Sequence, residues 1–164
     1  MIEIHPTAYV SPLADIEESV KGSRIVIGPN SYIDSFVKIK AAGGTGDILI
    51  GSHSFINSGC VLYIGNGIII GNNVSIAANC VLAPTNHEFR DRNTLHQQQG
   101  FRPSRGGIRI EDDVWIGASS VLLDGATLKV GCVIGARSLV LRPTDPYGVY
   151  AGNPLVKRGE RTEK

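Results

Sequence analysis

Four histidines, three cysteines and one tryptophan give this 164-residue sequence most of its chemical scope. An imidazole titrates near neutrality, so an exposed histidine can take a proton from a hydroxyl or amine at physiological pH. His87 is the histidine placed to do so. It closes the segment Thr85-Asn86-His87 and stands at the mouth of the longest stretch that breaks the pattern described below; the alternative is a solvated loop histidine. Asn86 beside it and Asn57 further upstream offer amides that could orient a bound substrate, and both are equally at home in turns. Glu88 or Asp91 could hold the His87 tautomer, although sequence alone places neither beside the ring. His5, His53 and His96 are scattered without metal-ligand spacing, so no metal site is expected. Cys60, Cys80 and Cys132 are odd in number and lack a Cys-x-x-Cys pair, which suits a reducing compartment, with the cytoplasm as the expected location.

The elements that must hold these side chains follow from a period of six. Aliphatic residues recur at Ile4, Val10, Ile16; Ile27, Ile33, Ile39; Ile50, Ile56, Leu62; Ile70, Ile76, Leu82; and then without a break from Ile110 through Ile116, Leu122, Leu128 and Ile134 to Val140. The extra residues, 5, 5, 2 and 22 of them, fall only between groups of three hexads. Three hexads therefore close one turn of a coil, and every insertion leaves by the same corner. The residue four beyond each aliphatic also points inward by strand alternation, and at fourteen of the eighteen positions it is small or short: Ala8, Ala14, Val20, Ser31, Val37, Ser54, Cys60, Val74, Cys80, Val114, Ser120, Ala126, Cys132 and Ser138. All three cysteines take this slot and read as small buried hydrophobes. An all-β column of about six three-sided coils of parallel strands follows. Its repeat domain covers 1–154, with an inserted loop at 88–107 and a tail at 155–164.

Composition excludes other classes. Aromatics are 6% of the chain and glycines number 20, which argues against a helical bundle, while 42% hydrophobic residues argue against disorder. A net charge of +1 gives no basic field for nucleic acid, and no run of 18 apolar residues would insert into a membrane. The charge is nonetheless uneven, at −2 over 1–87, +3 over 88–109, −3 over 110–136 and +3 over 137–164.

Three stretches, IGNNVSIAANCVLAPTNH at 70–87, DDVWIGASSVLLDGATL at 112–128 and AGNP at 151–154, resemble the hexapeptide-repeat acyltransferases, and among them the sugar O-acetyltransferases of the maltose, galactoside and nodulation-factor kind. The resemblance implies a left-handed parallel β-helix, a homotrimer, acetyl-coenzyme A as co-substrate and a sugar or nucleotide-sugar acceptor, such as a polysaccharide precursor. It makes His87 the general base and sets Trp115, which points outward, near the cofactor channel or a subunit contact. It gives Ala118 and Ala136 backbone contacts to the pantetheine arm, and Arg142 a cofactor-binding role. Arg137, Lys157 and Arg158 are candidate partners for the cofactor phosphates. Leu155 and Val156 stand before Lys157 where the family tail continues directly to lysine, so contacts at 157–158 are displaced. A serine or xenobiotic acetyltransferase and a non-catalytic β-helical scaffold subunit are the alternatives.

Overall fold

In the computed structural model, which describes residues 1–163, the chain winds six triangular coils. The first holds β1 (Ile2–Ile4), β2 (Tyr9–Val10) and β3 (Asp15–Ile16), and the second β4 (Ile25–Ile27), β5 (Tyr32–Ile33) and β6 (Lys38–Lys40). The third holds β7 (Ile48–Ile50), β8 (Phe55–Ile56) and β9 (Val61–Tyr63), and the fourth β10 (Ile68–Ile70), β11 (Ser75–Ile76) and β12 (Val81–Ala83). The fifth follows with β13 (Ile108–Ile110), β14 (Trp115–Ile116) and β15 (Val121–Leu123), and the sixth with β16 (Thr127–Leu128), β17 (Val133–Ile134) and β18 (Leu139–Val140). Equivalent strands pair in parallel, giving a first face β1-β4-β7-β10-β13-β16, a second β2-β5-β8-β11-β14-β17 and a third β3-β6-β9-β12-β15-β18. The fold is a left-handed parallel β-helix. Strands this short form only because each coil is a template for the next, so that stability accumulates by stacking.

The period places the core where expected from Ile27 onward: every hexad aliphatic from Ile27 to Val140 is buried. The first coil departs from the prediction. Ile4 is 46% exposed and Val20 98%, because a neighbouring coil covers the first coil on one side only and Val20 falls in a connection. A second departure is larger. Ile25, Ile48, Ile68 and Ile108 are fully or nearly fully buried and pair in register along the first face, so that face contributes two isoleucines per strand. The insertions preceding them had hidden this column from a strict count of six. Serines take the small inward slots at no hydrogen-bonding cost: Ser31 donates to the carbonyl of Gly51 at 2.7 Å and Ser54 to that of Gly71 at 2.9 Å, each on the next coil.

Two of the three corners are tight and repeat one residue in the left-handed region. These are Asn30, His53, Asn73, Asp113 and Gly131 between the first and second faces, and Phe36, Gly59, Asn79, Ser119 and Arg137 between the second and third. The corner from the third face to the first takes all the insertions. After the sixth coil, β19 (Gly148–Ala151) joins the second face beside β17, and β20 (Val156–Glu160) returns antiparallel to it. Much of the tail is thus a strand that closes the end of the column.

Candidate functional site

Where β12 ends at Ala83, the chain leaves the third-to-first corner and re-enters the column at β13, and His87 sits at the start of this excursion. The excursion is stapled twice. At its neck, His87 and Phe101 form an antiparallel bridge: the Glu88 N–H donates to the Gly100 carbonyl at 3.0 Å, and the Arg102 N–H to the Asn86 carbonyl at 2.8 Å. The His87 and Phe101 rings lie 4.6 Å apart at 39°. At its foot, the buried Asp124 carboxylate accepts the N–H of Arg105 at 2.8 Å and of Gly107 at 2.9 Å. A single 3-10 turn, His96–Gln98, shapes the outer part.

His87 is exposed and opens on a cavity of about 350 Å³ lined by Ala42, Gly43, Tyr63, Ala83, Thr85 and Phe101. Neither nearby acid serves the imidazole. Glu88 is clasped by Arg90 at 2.6 Å, and that guanidinium, with the N–H groups of Phe89 and Arg90, draws its carboxyl down to about 2. Asp91 accepts from the Thr94 hydroxyl and the Asn93 N–H, which lower its pKa. Among the described residues no side-chain hydrogen bond engages the His87 ring, and no group of three metal-ligating side chains converges.

Residues alternate across the ribbon formed at the neck, so Asn86 and Arg102 lie on the face opposite His87 and Phe101. They line a separate cavity of about 410 Å³ with Arg90, Pro103 and Arg105. Asn57 sits elsewhere, at the second-to-third corner, with its amide donating to the Ile76 carbonyl at 2.7 Å. Ala118, Ala136 and Arg137 stack on that same corner: the Arg137 N–H donates to the Ala118 carbonyl at 2.9 Å, and among the described residues the N–H groups of Ala118 and Ala136 have no acceptor. Between this corner and that of His87 lies the outside of the third face, paved by Val61, Val81, Val121, Leu139, Tyr63, Ala83, Leu123 and Leu141.

Trp115 is 56% exposed on the second face, in a cavity of about 520 Å³ with Asn73, Ser75, Asp113, Val133 and Arg161. Arg142 lines a cavity of about 360 Å³ with Leu139, Leu141, Tyr150, Asn153 and Pro154 at the end of the third face. Lys157 is held between Asp145 at 2.8 Å and Glu160, whose hydrogen bonds raise its pKa, so a phosphate there would compete with two carboxylates. The structure therefore puts His87 and Asn86 on opposite faces of one ribbon, sets Ala118, Ala136 and Arg137 across the third face from them, and leaves Trp115 and Lys157 apart. Sequence reasoning missed Tyr63, Thr85, Phe101, Arg102, Arg105 and Asp124. None of these follows the six-residue period; the paired glycines at 106–107 are the sequence signal that the loop turns back.

A family profile described as the hexapeptide repeat of succinyl-transferase matches residues 48–84 and 107–140, on either side of the excursion. The chloramphenicol acetyltransferase of Agrobacterium fabrum is 42% identical over 55 residues, 34% of this chain and 26% of that protein. The galactoside O-acetyltransferase of Lactococcus lactis is 31% identical over 98 residues, 59% of this chain and 42% of its own length. The matched region thus spans less than half of either curated relative. A single-residue variant of AntD, an N-acyltransferase from Bacillus cereus crystallised with dTDP-4-amino-4,6-dideoxyglucose and coenzyme A, superposes with a TM-score of 0.81 at 25% identity, covering 99% of this chain and 84% of that one.

Proposed function

We propose that this chain, whose residues 48–84 and 107–140 match the hexapeptide-repeat profile, moves an acetyl group from acetyl-coenzyme A to a hydroxyl, or an amine, of a sugar or nucleotide sugar, with His87 as general base. The observation that carries the reading is the mooring of His87: an exposed imidazole on a doubly stapled ribbon, open to a cavity at the edge of an apolar face. One ring nitrogen takes the proton as the acceptor oxygen attacks the thioester carbonyl. The tetrahedral intermediate collapses, the carbon–sulfur bond breaks, and the departing thiolate recovers the proton from the imidazolium. From Tyr63 to Leu141 the apolar floor crosses three coil spacings, about 14 Å at ~4.8 Å each. That is about the reach of four extended residues and so of a pantetheine arm.

His87 stands at one edge of the third face and the Ala118 and Ala136 corner at the other, and one prism cannot turn both toward a single linear arm. Two prisms can, if the Ala118 and Ala136 corner of one lies against the His87 corner of the next. This supports a homotrimer with the cofactor in the seam, as does the exposed apolar face, since such surfaces are usually covered. The ligands in the AntD variant support a nucleotide-sugar acceptor. The chloramphenicol acetyltransferase relative supports a second reading, a small xenobiotic hydroxyl.

Replacing His87 by Ala tests the assignment. Turnover, followed by coenzyme A thiol release over a panel of sugars, nucleotide sugars, serine and chloramphenicol, should fall by about 10²–10⁴-fold while cofactor affinity holds. Turnover retained within a few-fold removes His87 as base, and release with chloramphenicol alone selects the second reading.

A further inference from the structure

Resting on His87 as the reacting end, we propose that the cavity of Asn86, Arg90, Arg102 and Arg105 binds a phosphate or diphosphate group carried by the acceptor. The argument begins with charge. Each carboxylate around the cavity is already engaged: Glu88 by Arg90, Asp91 by Thr94 and Asn93, and Asp124 by the backbone of Arg105 and Gly107. Among the described residues Arg102 and Arg105 form no ion pair. The Arg102 guanidinium lies 5.8 Å over the Phe89 ring, and that of Arg105 reaches only the Leu141 carbonyl, at 3.4 Å. Two uncompensated guanidiniums and an amide therefore line one cavity of about 410 Å³. Such planar forks fit phosphate oxygens better than any neutral ligand group.

Both arginines are fixed at the backbone, Arg102 through its N–H to the Asn86 carbonyl and Arg105 through its N–H to the buried Asp124, so binding has only their side chains to order. The position decides whose phosphate this is. Asn86 precedes His87 and Arg102 follows its bridge partner Phe101, so the cavity backs directly onto the reacting end. Coenzyme A has no phosphate at that end. Its phosphates lie a pantetheine length, about 14 Å, from the thioester, where Arg142 lines a different cavity at the end of the column; of the residues here only Arg105, at the Leu141 carbonyl, extends toward that end, while Asn86 and Arg102 stay beside His87. A phosphate beside His87 thus belongs to the other substrate, which reaches around the edge of the ribbon to present its hydroxyl or amine.

The probe is inorganic pyrophosphate, titrated calorimetrically into the whole protein with and without saturating coenzyme A. Pyrophosphate should bind in both conditions, weakening about tenfold in Arg102→Ala or Arg105→Ala and about a hundredfold in the double variant. Coenzyme A affinity should stay within twofold. Arg102→Lys, which keeps the charge but loses the fork, should fall between, and equal melting temperatures exclude misfolding. Displacement of pyrophosphate by coenzyme A, or a loss of coenzyme A affinity in the double variant, gives the cavity to the cofactor and overturns the inference. Unchanged pyrophosphate affinity overturns it equally. Because the titration needs no turnover, it reads the cavity even if no acetyl group moves. Efficient acetylation of an uncharged sugar, unaffected by the double variant, would leave the transferase reading standing and the phosphate site refuted.

Discussion

Asp124→Asn tests the physical link between the column and the excursion that carries His87. The native carboxylate is 1% exposed and accepts two backbone N–H bonds, at 2.8 and 2.9 Å. An asparagine keeps one accepting oxygen and turns an amide NH₂ toward the other donor. One charge-assisted bond is lost, at roughly 1.5–3 kcal/mol, and a buried N–H is orphaned, at roughly 1–2 kcal/mol more, for a total of about 2.5–5 kcal/mol. If the whole column felt this, the melting temperature would fall by about 10 °C at 2–4 °C per kcal/mol. An excursion can also open on its own, in which case the loss appears as local opening while the column melts nearly as before. Hydrogen exchange over residues 84–107, with a thermal melt on the same samples, separates the two. We expect protection in that segment to fall several hundredfold, at about 1.4 kcal/mol per factor of ten, and turnover to drop with it, with coenzyme A affinity unchanged. Native protection in 84–107 together with a native melting temperature would refute the mooring role of Asp124.

Gly51→Ala should cost about 1–3 kcal/mol in urea unfolding, because its Cβ would lie 2.6 Å from the Gly71 carbonyl oxygen of the next coil; native stability would contradict the stacked register. Cys60, Cys80 and Cys132 are buried, and the Cys60 thiol is pushed up by its contact with Cys80 and then by burial, Cys132 by burial. Native protein should therefore titrate no thiol with Ellman's reagent at pH 8, and three in urea, and a fast-reacting native thiol would contradict the inward assignment. Chains carrying His87→Ala and chains carrying Ala136→Trp should each be inactive and regain activity when co-refolded. Absence of any recovery would put the whole site within one chain.

The column was legible because its energetics are repetitive. A strand of two or three residues leaves its neighbours no choice of register, so Ile33, Ile56, Ile76, Ile116 and Ile134 announce one sheet wherever they stand. The second isoleucine column, Ile25 to Ile108, was obscured because a count of six restarts after each insertion, while stacking is indifferent to what the chain did between coils. The exposure of His87 could be read from its phase in the repeat and the break that follows it. Its partners could not. Phe101 meets His87 through a pairing that spans the excursion, and Asp124 reaches Arg105 across coils, so neither contact leaves a periodic trace. Glu88 looked available in sequence and is consumed by Arg90 two residues on. Lys157 is likewise neutralised by Asp145, which only the return of β20 brings within reach.

Confining every insertion to one corner has an evolutionary consequence. Two sides of the prism are locked by tight turns that repeat coil after coil, whereas the remaining edge accepts anything from two to more than twenty additional residues without disturbing the register above or below. New recognition chemistry can then be grafted at a single seam, and a lineage can exchange one substrate for another by rewriting one loop while its scaffold stays untouched.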